Sequence, residues 1–215
     1  MRRRFAAVLA AVGLTLAGCS APAAAPPEGD GPLVAFYGDS YTLGTGASSP
    51  EVRWSTRIAE DRGWREFNPS VNGLGFVNHR AAQGLDLPGQ IIAQNADIVI
   101  ITMGLNDAYN FDVHGTAIRD QIDEDFTRLT SALPDARFVV VEPFWYTAER
   151  PPGLETVIGW VKDAAEGIDA DYIPGASSWI QGRSGEMAGD GLHPNDSGYD
   201  EMYRRMDAAL AGIGL

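Results

Sequence analysis

The sequence predicts a single α/β domain in which helices cover both faces of a mainly parallel sheet of about five strands. Two observations carry this prediction: three near-continuous apolar runs, and helical patterns that alternate with them along the chain. Continuous apolar runs are typical of parallel strands that are buried on both faces. Strands that alternate with helices then imply right-handed crossovers and a three-layer sandwich.

Five segments are predicted as strands. The strongest are LVAFY, DIVIITM and RFVVVEP, at residues 33–37, 97–103 and 137–143. REFNPS at 65–70 and ADYIP at 170–174 are weaker candidates. Ligands of open parallel sheets bind beyond the carboxyl ends of the strands. We therefore expect the polar and aromatic turns that follow the three strong strands to share one functional edge.

Four helices are predicted between and after these strands. They cover residues 51–62, 116–133, 154–168 and 196–213, and apolar residues recur in them at helical spacing. The last helix opens with the letters NDSGYDEMY, an acidic start that is rich in capping residues.

Length and charge fit one domain with an acidic surface. The chain has 215 residues, 45% hydrophobic and 21% charged, with a formal net charge of −13. Such acidity argues against a nucleic-acid partner and against electrostatic docking on an anionic membrane. Residues 33–215 contain no internal repeat and no second linker, so we expect one domain. We also expect the protein to be a monomer.

The segment before the domain resembles an export signal followed by a tether. Residues 1–18 join three consecutive arginines to an apolar stretch that is too short to span a membrane. They lead into LAGC, which resembles the lipobox of bacterial lipoproteins; the alternative is a plain secretory signal with a chance cysteine. Residues 19–32, rich in Ala and Pro, predict an extended tether. We expect an exported protein held in the cell envelope by a lipid anchor at Cys19.

Ser40 is the candidate nucleophile, because Gly-Asp-Ser follows the first strong strand. A serine nucleophile needs a base, a group that orients the base, and donors for the oxyanion. His193 is the candidate base, since Asp190 lies three positions earlier in the loop GDGLHPND; the alternative is an ordinary surface turn. His79 and His114 have no comparable partner and are expected to face solvent or to cap helices.

Two further turns offer donors for an oxyanion. Asn106, in MGLNDAYN, carries a side-chain amide, although Asn-Asp after a strand is also ordinary turn chemistry. Gly73, in NPSVNGLGF, offers a backbone N–H, although a glycine-rich turn is otherwise unremarkable.

Together and in this order, four motifs resemble those of the GDSL esterase/lipase family, also called SGNH hydrolases. The motifs are Gly-Asp-Ser, Asn-x-x-x-x-Gly, Gly-x-Asn-Asp and Asp-x-x-His-Pro, and the resemblance covers nearly all of residues 33–213. It implies a flavodoxin-like α/β/α sandwich, with neither cofactor nor metal. It also implies that Ser40 is the nucleophile and that Asp190 and His193 complete its triad. The resemblance further implies an oxyanion hole formed by the Ser40 amide, Gly73 and Asn106.

This sequence departs from the family pattern at one position and leaves a choice at another. Tyr41 stands where the first motif has Leu, and we expect it to pack locally without affecting catalysis. Gly75 lies two residues beyond Gly73 and is the alternative oxyanion donor.

The expected activity is hydrolysis of carboxylic esters through an acyl-enzyme on Ser40. Small-molecule or glycan esters with short acyl groups, acetyl above all, are favoured because no long apolar lid segment separates the motifs. The aromatic run Phe144, Trp145 and Tyr146 either lines an acyl or sugar pocket or belongs to the core. Two alternatives are a thioesterase or lysophospholipase with the same site, and a lipid-anchored binding protein without turnover.

Overall fold

The computed structural model describes residues 25–181, 183 and 185–215. The predicted signal peptide, residues 1–18, and the predicted lipidation site, Cys19, lie outside the described residues, as does the first part of the tether. Within the part of the chain that is described, no helix is long and apolar enough to cross a membrane.

A five-stranded sheet forms the middle layer, and every neighbouring pair of its strands is parallel. The strands are β1 (Leu33–Tyr37), β2 (Arg65–Phe67), β3 (Ile98–Ile101), β4 (Arg137–Val141) and β5 (Asp171–Ile173). Their spatial order is β2-β1-β3-β4-β5, the order of flavodoxin-like sheets. The predicted three-layer fold and all five predicted strands are confirmed.

The helices are α1 (Ser40–Leu43), α2 (Trp54–Asp61), α3 (Arg80–Gln83), α4 (Leu87–Gln94), α5 (Phe111–Ala132), α6 (Pro152–Gly167) and α7 (Asp196–Gly212). Short 3₁₀ helices cover Pro50–Val52, Asn106–Asn110 and Ala176–Ser178. The four predicted helices are present as α2, α5, α6 and α7, and α5 begins before its predicted start at residue 116. The sequence did not predict α1, α3 or α4.

Each face of the sheet has its own apolar core. On one face α2 and α7 bury their apolar sides, which include Trp54, Ile58, Met202 and Met206, against the sheet. On the other face the sheet packs against α4, α5 and α6, whose buried residues include Ile91, Ile122, Phe126, Val157 and Val161. Burial from both sides explains why β1, β3 and β4 are continuous apolar runs.

Because the strands are parallel, the segments that follow them leave the sheet at one edge. At this edge the hydroxyl oxygens of Thr42 and Thr102 share a hydrogen bond of 2.6 Å, which joins the segments after β1 and β3. The chain enters the domain at the opposite edge. There Arg65, at the start of β2, donates hydrogen bonds to the carbonyl oxygens of Gly31 at 2.7 Å and Pro27 at 3.2 Å.

Candidate active site

Ser40 is the first residue of α1 and lies directly beyond the carboxyl end of β1. The Asp39 side chain caps this one-turn helix by accepting the Tyr41 N–H at 3.0 Å. Within the described part of the chain, neither the Ser40 hydroxyl nor its backbone N–H makes a hydrogen bond. The side chain is almost fully buried, with 4% of its surface exposed. Because its hydroxyl makes no hydrogen bond to the described residues, Ser40 is free to react with a bound substrate.

Space at this turn requires glycine at position 38. A Cβ added to Gly38 would lie 2.5 Å from the hydroxyl oxygens of both Thr42 and Thr102. The close approach of the backbone to these two side chains therefore explains the first residue of the Gly-Asp-Ser motif.

Asp39 is a buried carboxyl group next to the candidate nucleophile. Burial raises its pKa from 3.8 to about 7, the negative charge of Asp107 adds to this rise, and the hydrogen bond from the Tyr41 N–H opposes it. Its second carboxylate oxygen accepts from the side-chain amide of Asn106 at 3.3 Å. Asp39 thus connects the segment after β1 with the segment after β3.

Asp190 and His193 form the pair that their spacing predicts. Asp190 Oδ2 lies 2.6 Å from His193 Nδ1, and Asp190 Oδ1 accepts the backbone N–H groups of Leu192 at 2.9 Å and His193 at 3.0 Å. These hydrogen bonds, that from the imidazole first, lower the pKa of Asp190 to about 2. The carboxylate therefore fixes the tautomer of the imidazole and leaves Nε2 to face a substrate.

The loop that carries His193 packs against the segment that follows Ser40. A Cβ added to Gly46 would lie 2.4 Å from the carbonyl oxygen of Pro194 and 3.2 Å from the His193 Cβ. Among the described residues, His193 and the Ser40 hydroxyl share no hydrogen bond. Contacts between a nucleophile and its base are often long in the free enzyme and tighten when substrate binds.

Tyr41 joins the same two segments and does more than pack locally. Its ring is fully buried, stacks on Phe144 at a centroid distance of 5.9 Å, and lies 6.0 Å from the imidazole of His193. Its hydroxyl donates a hydrogen bond to the carbonyl oxygen of Leu192, 151 positions away in the chain. Tyr41, the residue that departs from the family pattern, therefore supports the loop that carries the candidate base.

The two candidate glycines differ in whether their N–H groups are free. The Gly75 N–H donates to the carbonyl oxygen of Asn78 at 2.9 Å and is not available to a substrate. The Gly73 N–H makes no hydrogen bond to any residue that the structure describes, and Gly73 adopts a left-handed conformation with φ of 71°. The geometry therefore favours Gly73 as the oxyanion donor.

Asp107 shapes the turn that presents Gly73, a role that the sequence analysis missed. Its buried carboxylate accepts three consecutive backbone N–H groups, from Phe76 at 2.7 Å, Val77 at 2.9 Å and Asn78 at 3.1 Å. Burial raises the pKa of Asp107, and these three hydrogen bonds oppose the rise. The only sequence signal was the acid that follows Asn106 in the Gly-x-Asn-Asp motif.

Asn106 lies between these two segments, at the start of the 3₁₀ helix Asn106–Asn110. Its amide nitrogen donates to the carbonyl oxygen of Leu74 at 2.9 Å and to Asp39 at 3.3 Å. Asn106 therefore contacts the residue after Gly73 and the residue before Ser40. The structure brings all five predicted site residues to one edge of the sheet.

The three aromatic residues that follow β4 differ in how deeply they are buried. Phe144 and Trp145 are buried, with 1% and 3% of their surfaces exposed. Tyr146 is only partly buried, and its hydroxyl lies 3.0 Å from the hydroxyl of Tyr109. Phe144 and Trp145 therefore belong to the core, one of the two predicted alternatives, whereas Tyr146 does not. Tyr109, on the 3₁₀ helix of Asn106, was missed by the sequence analysis.

Beyond the predicted residues, three kinds of feature can bind a ligand: the two remaining histidines, a metal site and the surface hollows. His79 and His114 are exposed, as predicted. Residues 25–181, 183 and 185–215 contain no group of three or more His, Cys, Asp or Glu side chains placed to hold a metal. A surface hollow of about 770 Å³ beside the first turns of α5 and Trp160 contains none of the five predicted residues.

Comparisons with known proteins match the chain to one family. A sequence model of the GDSL-like Lipase/Acylhydrolase family matches residues 36–201, which include all five predicted residues. The GDSL lipase Rv0518 of Mycobacterium tuberculosis is 26% identical over 187 residues, covering 79% of this chain and 77% of that protein.

Two solved structures share the fold. The structure of TesA superposes with a TM-score of 0.68 and 18% identity over 84% of this chain and 99% of its own. That of the acetyl xylan esterase AlAXEase superposes with a TM-score of 0.63 and 15% identity over 83% of this chain and 99% of its own.

Proposed function

The chain belongs to the GDSL-like lipase/acylhydrolase family and is an esterase- or lipase-type hydrolase, and we propose that it cleaves carboxylic esters through an acyl-enzyme on Ser40. The proposal rests on one observation, the 2.6 Å contact between Asp190 and His193. The contact lies at the edge of the sheet where Ser40 follows β1, and the Ser40 hydroxyl makes no hydrogen bond to the described residues. A serine, an imidazole and an orienting carboxylate are the parts that acyl transfer requires.

In the proposed mechanism, His193 Nε2 removes the hydroxyl proton as Ser40 Oγ bonds to the ester carbonyl carbon. The imidazolium, stabilised by Asp190, then gives this proton to the departing alkoxide, which leaves as the alcohol. Water enters, loses a proton to the same imidazole and attacks the acyl-enzyme. The carboxylic acid is released and the serine recovers its proton.

The proposed oxyanion hole combines two backbone amides and one side chain. The N–H groups of Ser40 and Gly73 have no competing acceptor within the described residues, so both can donate to a developing oxyanion. Asn106 must release one of its two partners to do so. The 3.3 Å contact with Asp39 is the longer of the two, and we expect the oxyanion to replace it.

Short-chain esters, acetyl esters above all, are the proposed substrates. A thioester or a lysophospholipid is the second candidate, because the same residues would attack its carbonyl. The binding-protein alternative has less support, because it leaves the orientation of His193 by Asp190 unexplained.

The test is hydrolysis of p-nitrophenyl esters from acetate to palmitate by the wild type and by Ser40→Ala. Ser178→Ala is the matched control, since Ser178 is an exposed serine outside the site. We expect turnover that is lost in Ser40→Ala, kept in Ser178→Ala, and highest for the shortest esters. Turnover that survives in Ser40→Ala would remove this serine from the mechanism, and a maximum at palmitate would favour lipid substrates.

We also propose that the protein is exported and that Cys19 carries the lipid that anchors it. The proposal is supported by the order of basic, apolar and small residues that ends at this cysteine. Expression in bacteria with an alkyne-labelled fatty acid should label the wild type and not Cys19→Ser. Equal labelling of the two proteins would contradict the anchor.

A further inference from the structure

Two tyrosine hydroxyl groups meet at the rim of the candidate site. The oxygens of Tyr109 and Tyr146 lie 3.0 Å apart, and both rings reach solvent, Tyr109 with 52% of its surface exposed. Tyr109 is one of the two large hydrophobic residues of the described chain that are this exposed. An exposed pair of rings with linked hydroxyls is not explained by core packing, nor by the roles proposed for the triad and the oxyanion donors.

The pair is placed to contact a substrate held at Ser40. Tyr109 follows Asn106 by three residues on the 3₁₀ helix, and side chains with this spacing point to the same side of such a helix. Tyr146 comes from the segment that follows β4, at the same edge of the sheet. Burial, the neighbouring Tyr146 hydroxyl and the charge of Asp39 raise the pKa of Tyr109, which agrees with a position close to the nucleophile's turn.

A buried indole supports both rings from behind. The Trp145 ring lies 5.7 Å from that of Tyr109 and 4.9 Å from that of Tyr146, between centroids. Its own N–H donates to the carbonyl oxygen of Glu149 at 2.9 Å, so the indole is fixed in place. Rings that are held before binding lose little conformational entropy when a ligand arrives.

The chemistry of the pair suits a ring with an apolar face and a polar edge. One hydroxyl proton bridges the two oxygens, which leaves one O–H donor and several lone pairs for a ligand. An alkyl chain laid on this surface would remove water from these groups and give them no partner, which is unfavourable. A sugar ring offers C–H groups to the aromatic faces and hydroxyls to the tyrosine oxygens.

We propose that Tyr109 and Tyr146 form the subsite for the alcohol part of the ester, and that this alcohol is a sugar. The inference rests on the proposed ester hydrolysis and adds its substrate class: the enzyme removes a short acyl group from a hydroxylated ring. The two tyrosines are specificity residues, and the acyl transfer itself is left to Ser40, His193 and Asp190.

The test compares two acetyl esters that share the acyl group and differ in the hydroxyls of the ring. These are methyl 4-O-acetyl-β-xylopyranoside and cyclohexyl acetate, with p-nitrophenyl acetate as the general esterase substrate. We expect wild-type kcat/KM to be about tenfold higher for the sugar ester than for cyclohexyl acetate. Tyr109→Phe and Tyr146→Phe, which keep the rings, should each remove most of this ratio.

Tyr203→Phe is the matched control, because its hydroxyl bonds to Asp61 on α2, away from the site. This variant should keep the wild-type ratio. A wild-type ratio near one, or Phe variants that keep the ratio, would overturn the subsite while p-nitrophenyl acetate is still hydrolysed. Failure to hydrolyse any of the three esters would instead overturn the proposed function, and the subsite with it.

Discussion

The hydroxyl of Tyr41 donates a hydrogen bond to the carbonyl oxygen of Leu192 at 2.5 Å. One of these residues follows the candidate nucleophile in the chain, and the other precedes the candidate base. This contact therefore helps to position the His193 loop relative to the turn of Ser40, together with the packing of Gly46 against Pro194.

Tyr41→Phe should lower kcat about three- to tenfold with little change in KM, because the ring still fills its place while the loop loses one hydrogen bond. Steady-state kinetics with p-nitrophenyl acetate measure this effect, and Tyr203→Phe is again the control. If Tyr41→Phe keeps the wild-type kcat, the hydroxyl does not position the base.

Asn106→Ala should lower kcat about 10²- to 10³-fold, the usual loss when one oxyanion donor is removed. The variant should remain folded with some loss of stability, since two buried acceptors, the carbonyl oxygen of Leu74 and the carboxylate of Asp39, lose a side-chain donor. Circular dichroism melting alongside kinetics separates the two effects. A folded Asn106→Ala protein with unchanged kcat would exclude Asn106 from the oxyanion hole.

Alanine at the two glycines should have opposite effects on catalysis. Gly73→Ala keeps its N–H, and its Cβ would meet only His79 Nδ1, at 3.9 Å. It should therefore cost about 1–2 kcal/mol of stability for its left-handed backbone and keep kcat within a few-fold. Gly75→Ala would place a Cβ 2.5 Å from the Asp107 carboxylate oxygens. It should lose about 1–3 kcal/mol of stability and most of its activity, because the turn that presents Gly73 must shift.

Urea unfolding and kcat of both glycine variants measure these outcomes. An inactive Gly73→Ala beside a fully active Gly75→Ala would contradict the role given to the Asp107 turn.

Asp39→Asn should change how stability depends on pH. The folded-state pKa of Asp39, about 7, lies above its ordinary value of 3.8, so the folded protein binds the extra proton between these values. In the wild type, the contribution of Asp39 to the free energy of unfolding is therefore complete at low pH and is lost as pH rises toward 7. The stability of Asp39→Asn relative to the wild type should increase by up to about 4 kcal/mol over that interval.

Urea unfolding of both proteins at about pH 4.5, 6 and 8 measures the difference between them. A constant difference across these pH values would show that Asp39 titrates normally. The same variant should be less active, because one amide oxygen cannot replace both carboxylate oxygens: while it accepts from the Tyr41 N–H, its NH₂ group faces the Asn106 amide, which is also a donor.

Asp190 should remain ionised throughout the working range of the enzyme, because its hydrogen bonds lower its pKa to about 2. A depressed carboxylate pKa means that its contribution is present at neutral pH and is lost only in strong acid. Asp190 should therefore add no step to the loss of kcat/KM on acidification between about pH 8 and 4. Asp39→Asn removes the carboxyl group next to Ser40 that titrates in this range, so a two-proton acid limb that persists in that variant would contradict the low pKa of Asp190.

The fold was predictable because its strongest elements are locally encoded. Both-face burial made β1, β3 and β4 continuous apolar runs, and the long helices show clear periodicity. The helix α4 was missed because its sequence, LPGQIIAQ, contains Pro and Gly near the start. Proline is tolerated in the first turn, where its absent N–H has no helical partner, and Asp86 caps the helix by accepting from Gly89.

The site was predictable where its partners are close in sequence, as Asp190 and His193 are. Tyr41 was expected only to pack locally, and Asp107 and Tyr109 were given no role, because the contacts of all three are set by tertiary structure. Tyr41 reaches a carbonyl 151 positions away, and Asp107 binds amides about 30 positions before it. No local pattern distinguishes such residues from ordinary turn or core residues.

The hydrogen bonds from Arg65 to the carbonyl oxygens of Gly31 and Pro27 fix the place where the chain enters the domain. The chain enters at one end of β1 and Ser40 lies at the other, about 16 Å away for five extended residues. A tether upstream of residue 25 would therefore join the domain at the end of β1 opposite Ser40. An anchor at Cys19 would therefore leave the candidate site on the side of the domain away from the acyl chains that hold the protein.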